Sequence, residues 1–119
     1  MKRFDLYQIL LSKEEIDTIN EMGWGEETNK VVPKAGVMLK NGLNGSKKFE
    51  SSDKQYYTLT ANTTCDNLDK VFDTFNNHGE HFVKLSELMR SASAGDLIHN
   101  VDDDKWYMID MFGFGEVEV

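Results

Sequence analysis

One cysteine and one proline occur in the 119 residues. Cys65 cannot close an internal disulfide, so no covalent staple holds the fold, and the composition fits a reducing compartment. No apolar run approaches the ~18 residues of a membrane span. No basic, apolar, small-residue leader opens the chain, so the expected location is the cytoplasm. A glycine-rich phosphate loop, a nucleophile–base signature and a zinc-ligand spacing are also missing. Cys65 precedes a helix N-terminus, as reactive thiols often do, but no base stands beside it in sequence. His78, Glu80 and His81 lack a second ligand cluster and read as a surface loop. No catalytic residue, metal site or cofactor is therefore assigned, and an enzymatic role ranks behind a binding role.

Bases are scarce in one half only. Residues 1–60 carry nine acids and nine bases, whereas residues 61–119 carry twelve acids and four bases, so the whole net charge of −8 lies in the second half. A solvated acidic face that keeps the protein soluble is one reading. A surface that attracts a basic partner is the other. Direct binding to a phosphate backbone is disfavoured, because affinity there comes from Lys and Arg.

What is present describes one soluble domain. Hydrophobic residues make up 39% and charged residues 29%, and a chain of this length buries roughly two-thirds of its unfolded surface. Residues 4–11 read as a strand. Ser12, with Glu15 three residues on, is a capping-box pattern that starts a helix with Ile16, Ile19 and Met22 on one stripe. Gly23 and Gly25 stop it, and Trp24 between them is expected to cover the exit as a core residue. Pro33 discourages helix before it. Residues 35–40 fit a short helix or a short strand, and residues 41–54, NGLNGSKKFESSDK, read as loop with a small basic spot at Lys47 and Lys48. Residues 55–61 form a strand by aromatic and β-branched content, and residues 62–65 a turn. Residues 66–77 form a helix whose inner face is Leu68, Val71, Phe72 and Phe75. Residues 82–89 read as a short apolar helix, 91–96 as a turn, 97–101 as a strand, and Asp102, Asp103 and Asp104 as a tight charged turn.

Residues 105–119, KWYMIDMFGFGEVEV, are too apolar for a frayed terminus and must dock into the core. Residues 106–111 are apolar on both faces apart from Asp110, as in a central strand. Gly113 and Gly115 mark a bend or bulge, and Glu116 and Glu118 alternate with valines on a half-exposed strand. Burying an unpartnered carboxylate is costly. Asp110 therefore points outward, accepts backbone N–H bonds around the Gly113 bend, or shares a binding pocket with Asp96, Trp106 and Tyr107.

Several pieces recur in a recognisable order: Tyr57 with Leu59 on a strand, LDKVFDTFN over residues 68–76, Phe82 in a loop, SASAGDLI over residues 91–98, and WYMIDMFGFGEV over residues 106–117. This order resembles the YodL-like domain, a small domain seen in proteins of phages and mobile genetic elements. The opening FDLYQI is similar to the Tyr-Gln-rich strand that often starts such proteins. The chain departs from the pattern at Met111, where a small residue is more usual, and in its long loop over residues 78–90. The resemblance spans residues 56–119 and implies a phage or mobile-element accessory protein, at work in a host cytoplasm, with no particular chemistry.

The expected fold is one α+β domain over residues 1–119. It has an antiparallel sheet of four to five strands and two main amphipathic helices, and the last strands are able to form a PUA-like or SH3-like barrel. The expected function is protein binding through an acidic surface of Asp102, Asp103, Asp104, Glu116 and Glu118, with a basic protein partner and self-association as a homodimer. Two alternatives stand beside it. One is a small-molecule-binding or enzymatic domain with a pocket near Asp110. The other is a nucleic-acid-associated PUA-like module, for which only Lys2, Arg3, Lys47, Lys48 and Lys54 could supply a basic groove.

Overall fold

The computed structural model describes all 119 residues. Its first strand, β1 (Lys2–Ile9), sits near the middle of the sheet. Phe4 and Leu6 point to one side and Tyr7 and Ile9 to the other, as the two-residue strand period requires. β1 pairs antiparallel with β2 (Tyr57–Cys65) on one side and with β4 (Leu97–Asn100) on the other. β3 (Phe82–Lys84) adds to β2. β5 (Lys105–Ile109) adds to β4, and β6 (Phe114–Val117) adds to β5.

The order β3-β2-β1-β4-β5-β6 is an open, six-stranded antiparallel sheet. The six strands exceed the expected four to five, and the barrel is overturned: β3 and β6 lie at opposite edges and never meet. The extra strand is β3, which replaces the helix expected over residues 82–89. Phe82 and Lys84 pair with Thr63 and Ala61, and the N–H groups of Leu85 and Ser86 both donate to the Thr60 carbonyl. An apolar run this short suits either periodicity, and the neighbouring strand decides.

Four helices accompany the sheet: α1 (Lys13–Met22), α2 (Glu26–Val31), α3 (Pro33–Asn44) and α4 (Leu68–Asn77). α4 covers one face, where Val71 and Phe75 pack with Phe4, Leu6, Ala61, Ile98 and Ile109. The other face carries Ile9, Tyr57, Leu97 and Met108 beneath Val37 and Met38 of α3 and Phe49. A third, small cluster of Ile19, Val32 and Ala35 joins α1 to the start of α3.

Several local expectations change. Phe72 is 40% exposed rather than inward, because the α4 stripe centres on Val71 and Phe75 and leaves Phe72 at its margin. Trp24 is 53% exposed and covers no core. The Gly23–Gly25 turn is held from beneath by the Thr28 hydroxyl, which donates to the Gly23 carbonyl, and so leaves the indole outside. Pro33 occupies the first turn of α3, where its missing N–H costs nothing. α3 then runs through the loop-like NGLN to Asn44, and two 3₁₀ turns follow at Gly45–Lys48 and Ser51–Tyr56. Tertiary contacts override local propensity there. The buried Asn41 amide donates to the Tyr57 hydroxyl at 3.0 Å. Gly95 (φ +95°) lies against the α3 backbone, where an added Cβ would come 3.0 Å from Gly42 N. β2 also continues through residues 62–65, where a turn is expected.

Candidate functional site

Sheet topology brings the β4–β5 turn, the end of β6 and the start of β1 to one end of the molecule. Asn100 pairs with Lys105, Trp106 with Val117 and Phe4 with Asn100. Asp102, Asp103 and Asp104 are all exposed there. The Asp102 carboxylate accepts the Arg3 N–H at 2.8 Å, and Asp103 takes the Lys2 ammonium at 2.6 Å and the Asn100 amide at 3.0 Å. The hydrogen bond from Lys2 is the main reason the Asp103 carboxyl lies below the usual carboxylate range and the Lys2 amine above its own. Asp104 pairs with His99 Nε2 at 2.9 Å. Asp104, Lys105, Trp106, Glu116 and Glu118 line one shallow cleft of about 420 Å³. Glu116 and Glu118 are exposed and make no ion pair.

An aromatic shelf adjoins this end on the α3 side of the sheet. His99 stacks on Trp106 with ring centroids 4.1 Å apart, and Tyr7 tilts against Trp106 at 5.0 Å. The Lys54 ammonium lies 4.5 Å above the Tyr7 ring and 5.4 Å from that of Trp106. Lys54 is thereby drawn into the shelf. Lys2 and Arg3 pair with Asp103 and Asp5, so these three bases are each occupied and do not form a continuous positive stripe.

Asp96, Trp106, Tyr107 and Asp110 occupy separate surroundings. Trp106 and Tyr107, as strand neighbours, face opposite sides of the sheet. Asp96 is buried in a polar knot: Arg90 donates from both terminal nitrogens at 3.1–3.2 Å, Gln8 Nε2 at 2.9 Å and Ser93 N–H at 3.0 Å. Burial pushes the Asp96 carboxyl up, against the pull of Arg90, Gln8 and Ser93. A β-bulge places Thr60 opposite no partner in the β1–β2 register, and its hydroxyl donates to Gln8 Oε1 at 3.1 Å. The knot borders a cavity of about 190 Å³ lined by Ile9, Met38, Arg90, Ser93 and Asp96 among others. All four donors to Asp96 are intramolecular, so the knot pins the irregular segment before β4 to β1.

Asp110 is a strut. Its carboxylate accepts Ser46 N–H at 2.7 Å and Ser46 Oγ at 2.8 Å, while its own N–H closes the turn onto the Gly113 carbonyl. The backbone donor it serves belongs to the Gly45–Lys48 turn and not to the Gly113 bend. Gly115 makes this possible, since a Cβ there would lie 2.0 Å from Ser46 Oγ.

No nucleophile–base pair forms around Cys65. The buried thiol is 3.5 Å from Thr74 Oγ1, and the two His78 ring nitrogens face Asp73 at 2.9 Å and Glu80 at 3.7 Å. No group of three or more His, Cys, Asp or Glu side chains is arranged to hold a metal ion. No helix is long and apolar enough to cross a membrane.

Sequence reasoning passed over Gln8, Arg90, His99 and Tyr7, and it weighed Lys54 only as part of a basic groove. Gln8 carries a signal, being a polar residue between the apolar Tyr7 and Ile9–Leu11, and Arg90 is one of only four bases in its half of the chain. His99 and Lys54 carry none, because register and a distant 3₁₀ turn bring them to Trp106. Comparison with known proteins finds no match among family models, curated proteins or solved structures.

Proposed function

We propose that this protein acts by binding a basic protein partner at the acidic end of its sheet. The observation that carries the reading is the shared cleft: Asp104 from one turn, Glu116 from the edge strand and Glu118 just past its end line it together. Fields from such neighbouring carboxylates add, and they steer a basic partner into encounter. The resemblance of residues 56–119 to the YodL-like domain makes a phage or mobile-element accessory protein the matching biological role, and a homodimer remains compatible with it. A pocket built on Asp110 gains no support, since Ser46 occupies both of its carboxylate oxygens. A nucleic-acid reading gains none either, since Lys2, Arg3 and Lys54 are held at separate points.

The test is affinity capture from host lysate at low and high salt. It uses the wild type and a variant combining Asp104→Asn, Glu116→Gln and Glu118→Gln, which spares the turn-forming Asp102 and Asp103. A partner lost at high salt and in the variant is the expected result, because screening shortens from ~10 Å at 0.1 M to ~3 Å at 1 M. A partner indifferent to both, or none, overturns the reading.

A further inference from the structure

The sheet has two edges, and they differ. β3 has three residues, and the chain folds back onto β2 immediately after it through Leu85 and Ser86. β6 has four, and its hydrogen bonds run to β5 alone. The direction of its free groups follows from the register. Ile109 spends its N–H on the Asp96 carbonyl and its C=O on the Gly95 N–H, both on the β4 side. Ile109 and its partner Phe114 are therefore a non-hydrogen-bonded pair. By alternation, Phe114 and Glu116 turn their N–H and C=O groups away from β5, toward the open edge. That edge is a template for another strand.

The side chains limit which strand fits. Glu116 stands on the same face as Tyr107, its register partner, and Val117 on the same face as Trp106. A second copy pairing here about a two-fold axis at Glu116 or Val117 would set Glu116 of one chain opposite Glu116 or Glu118 of the other, and like charges across a pair are destabilising. A strand that alternates basic and apolar residues instead sets its bases beside Glu116 and Glu118 and its apolar residues beside Val117 and the Trp106 ring.

We infer that the open edge of β6 accepts an extended segment of alternating basic and apolar residues as a seventh strand. This rests on the proposed acidic binding role and adds the mode: main-chain bonds supply affinity and the alternate carboxylates supply selectivity. The probe is a labelled peptide alternating Lys and Val. Its controls are the same peptide N-methylated at alternate positions, which keeps the charge and deletes donors, and a Glu–Val peptide. Fluorescence anisotropy gives the affinities, and amide hydrogen exchange reports on Phe114 and Glu116.

Binding of the Lys–Val peptide, protection of those amides and a loss of about tenfold or more on N-methylation are expected, a tenfold loss being about 1.4 kcal/mol. Glu116→Pro removes one outward donor at an edge position that tolerates proline and should weaken binding as strongly. Glu116→Lys should shift preference toward the Glu–Val peptide. Equal binding of methylated and unmethylated peptides to the wild type overturns strand addition while leaving the acidic reading standing, whether or not Glu116→Pro folds. Salt-insensitive binding that survives Glu116→Gln with Glu118→Gln overturns the acidic reading instead. Absence of binding by the Lys–Val peptide overturns the inference.

Discussion

α1 and α4 are the same length, and each opens on a side-chain cap: Ser12 receives the Glu15 N–H, and Asn67 receives the Lys70 N–H. Their fates differ. α4 buries Val71, Thr74 and Phe75 against the sheet, and Val71 and Phe75 belong to a cluster of nine buried residues. α1 buries Ile19 alone, in a cluster of three, while Ile16 and Met22 remain 43% and 46% exposed. A cap and an apolar stripe make a helix locally. Its share in global stability is set by what lies opposite, and α1 faces two short segments where α4 faces a core drawn from four strands.

The sharpest way to break the comparison is to remove the surface α4 packs on. Deleting residues 105–119 takes away Met108 and Ile109, one from each main cluster, and should abolish the cooperative thermal transition. A transition that survived would mean the α4 layer stands without β5 and β6.

Two single changes come next. Phe75→Ala, at a site 3% exposed, should cost about 3–5 kcal/mol in chemical denaturation. The neighbouring Phe72→Ala should cost about 1 kcal/mol or less, as an exposed truncation does. Equal losses would contradict the orientation of α4. Arg90→Ala should cost about 2–3 kcal/mol, because it leaves the buried Asp96 carboxylate with Gln8 and Ser93 as its only donors. It also frees the Ile9 carbonyl at the end of β1, near where α1 begins, so it should loosen both regions.

Ile19→Ala should cost about 2 kcal/mol, the low end for a buried aliphatic, and act mainly on α1. Native-state hydrogen exchange of wild type should show α1 amides exchanging through local opening and α4 amides only near the global limit. Identical protection would erase the distinction.

The smallest effect separates the caps. Glu15 lies below the usual glutamate range chiefly because it accepts the Ser12 N–H, with Lys34 helping. A carboxylate shifted down stabilises fully above its unfolded pKa and loses that contribution as pH falls through the folded value. The α4 cap is an amide and does not titrate. As pH drops below about 4, α1 exchange should therefore accelerate before α4 exchange does, and Glu15→Gln should remove that pH dependence. Ser12→Ala should cost about 1 kcal/mol at neutral pH.

Short-range features were legible in the residues. The Ser12–Glu15 box, the α4 stripe around Val71 and Phe75, the Asp102–Asp104 turn and the Gly113 bend all depend on neighbours within a few positions, and such contacts are encoded where they act. β1, β2 and β4 followed from aromatic, aliphatic and β-branched content and flanking turns, and the docked C-terminal strands from the two-residue period, within a few residues at their ends. What stayed hidden was long-range. β3 exists because β2 offers it an edge, α3 continues to Asn44 because Asn41 and Gly42 meet Tyr57 and Gly95, and Asp110 reaches Ser46 across the chain.

The sequence by itself determined the α+β class, the starts of α1 and α4, the hairpin turn and the concentration of acid in the second half, because propensity, capping and charge count are properties of short windows. Only the tertiary structure decided strand order, which edge stays open, and which carboxylates are spent inside the fold (Asp96, Asp110) and which face out (Glu116, Glu118). A carboxylate's role depends on the donors that reach it, and those donors come from 64 positions away for Asp110 and as many as 88 for Asp96.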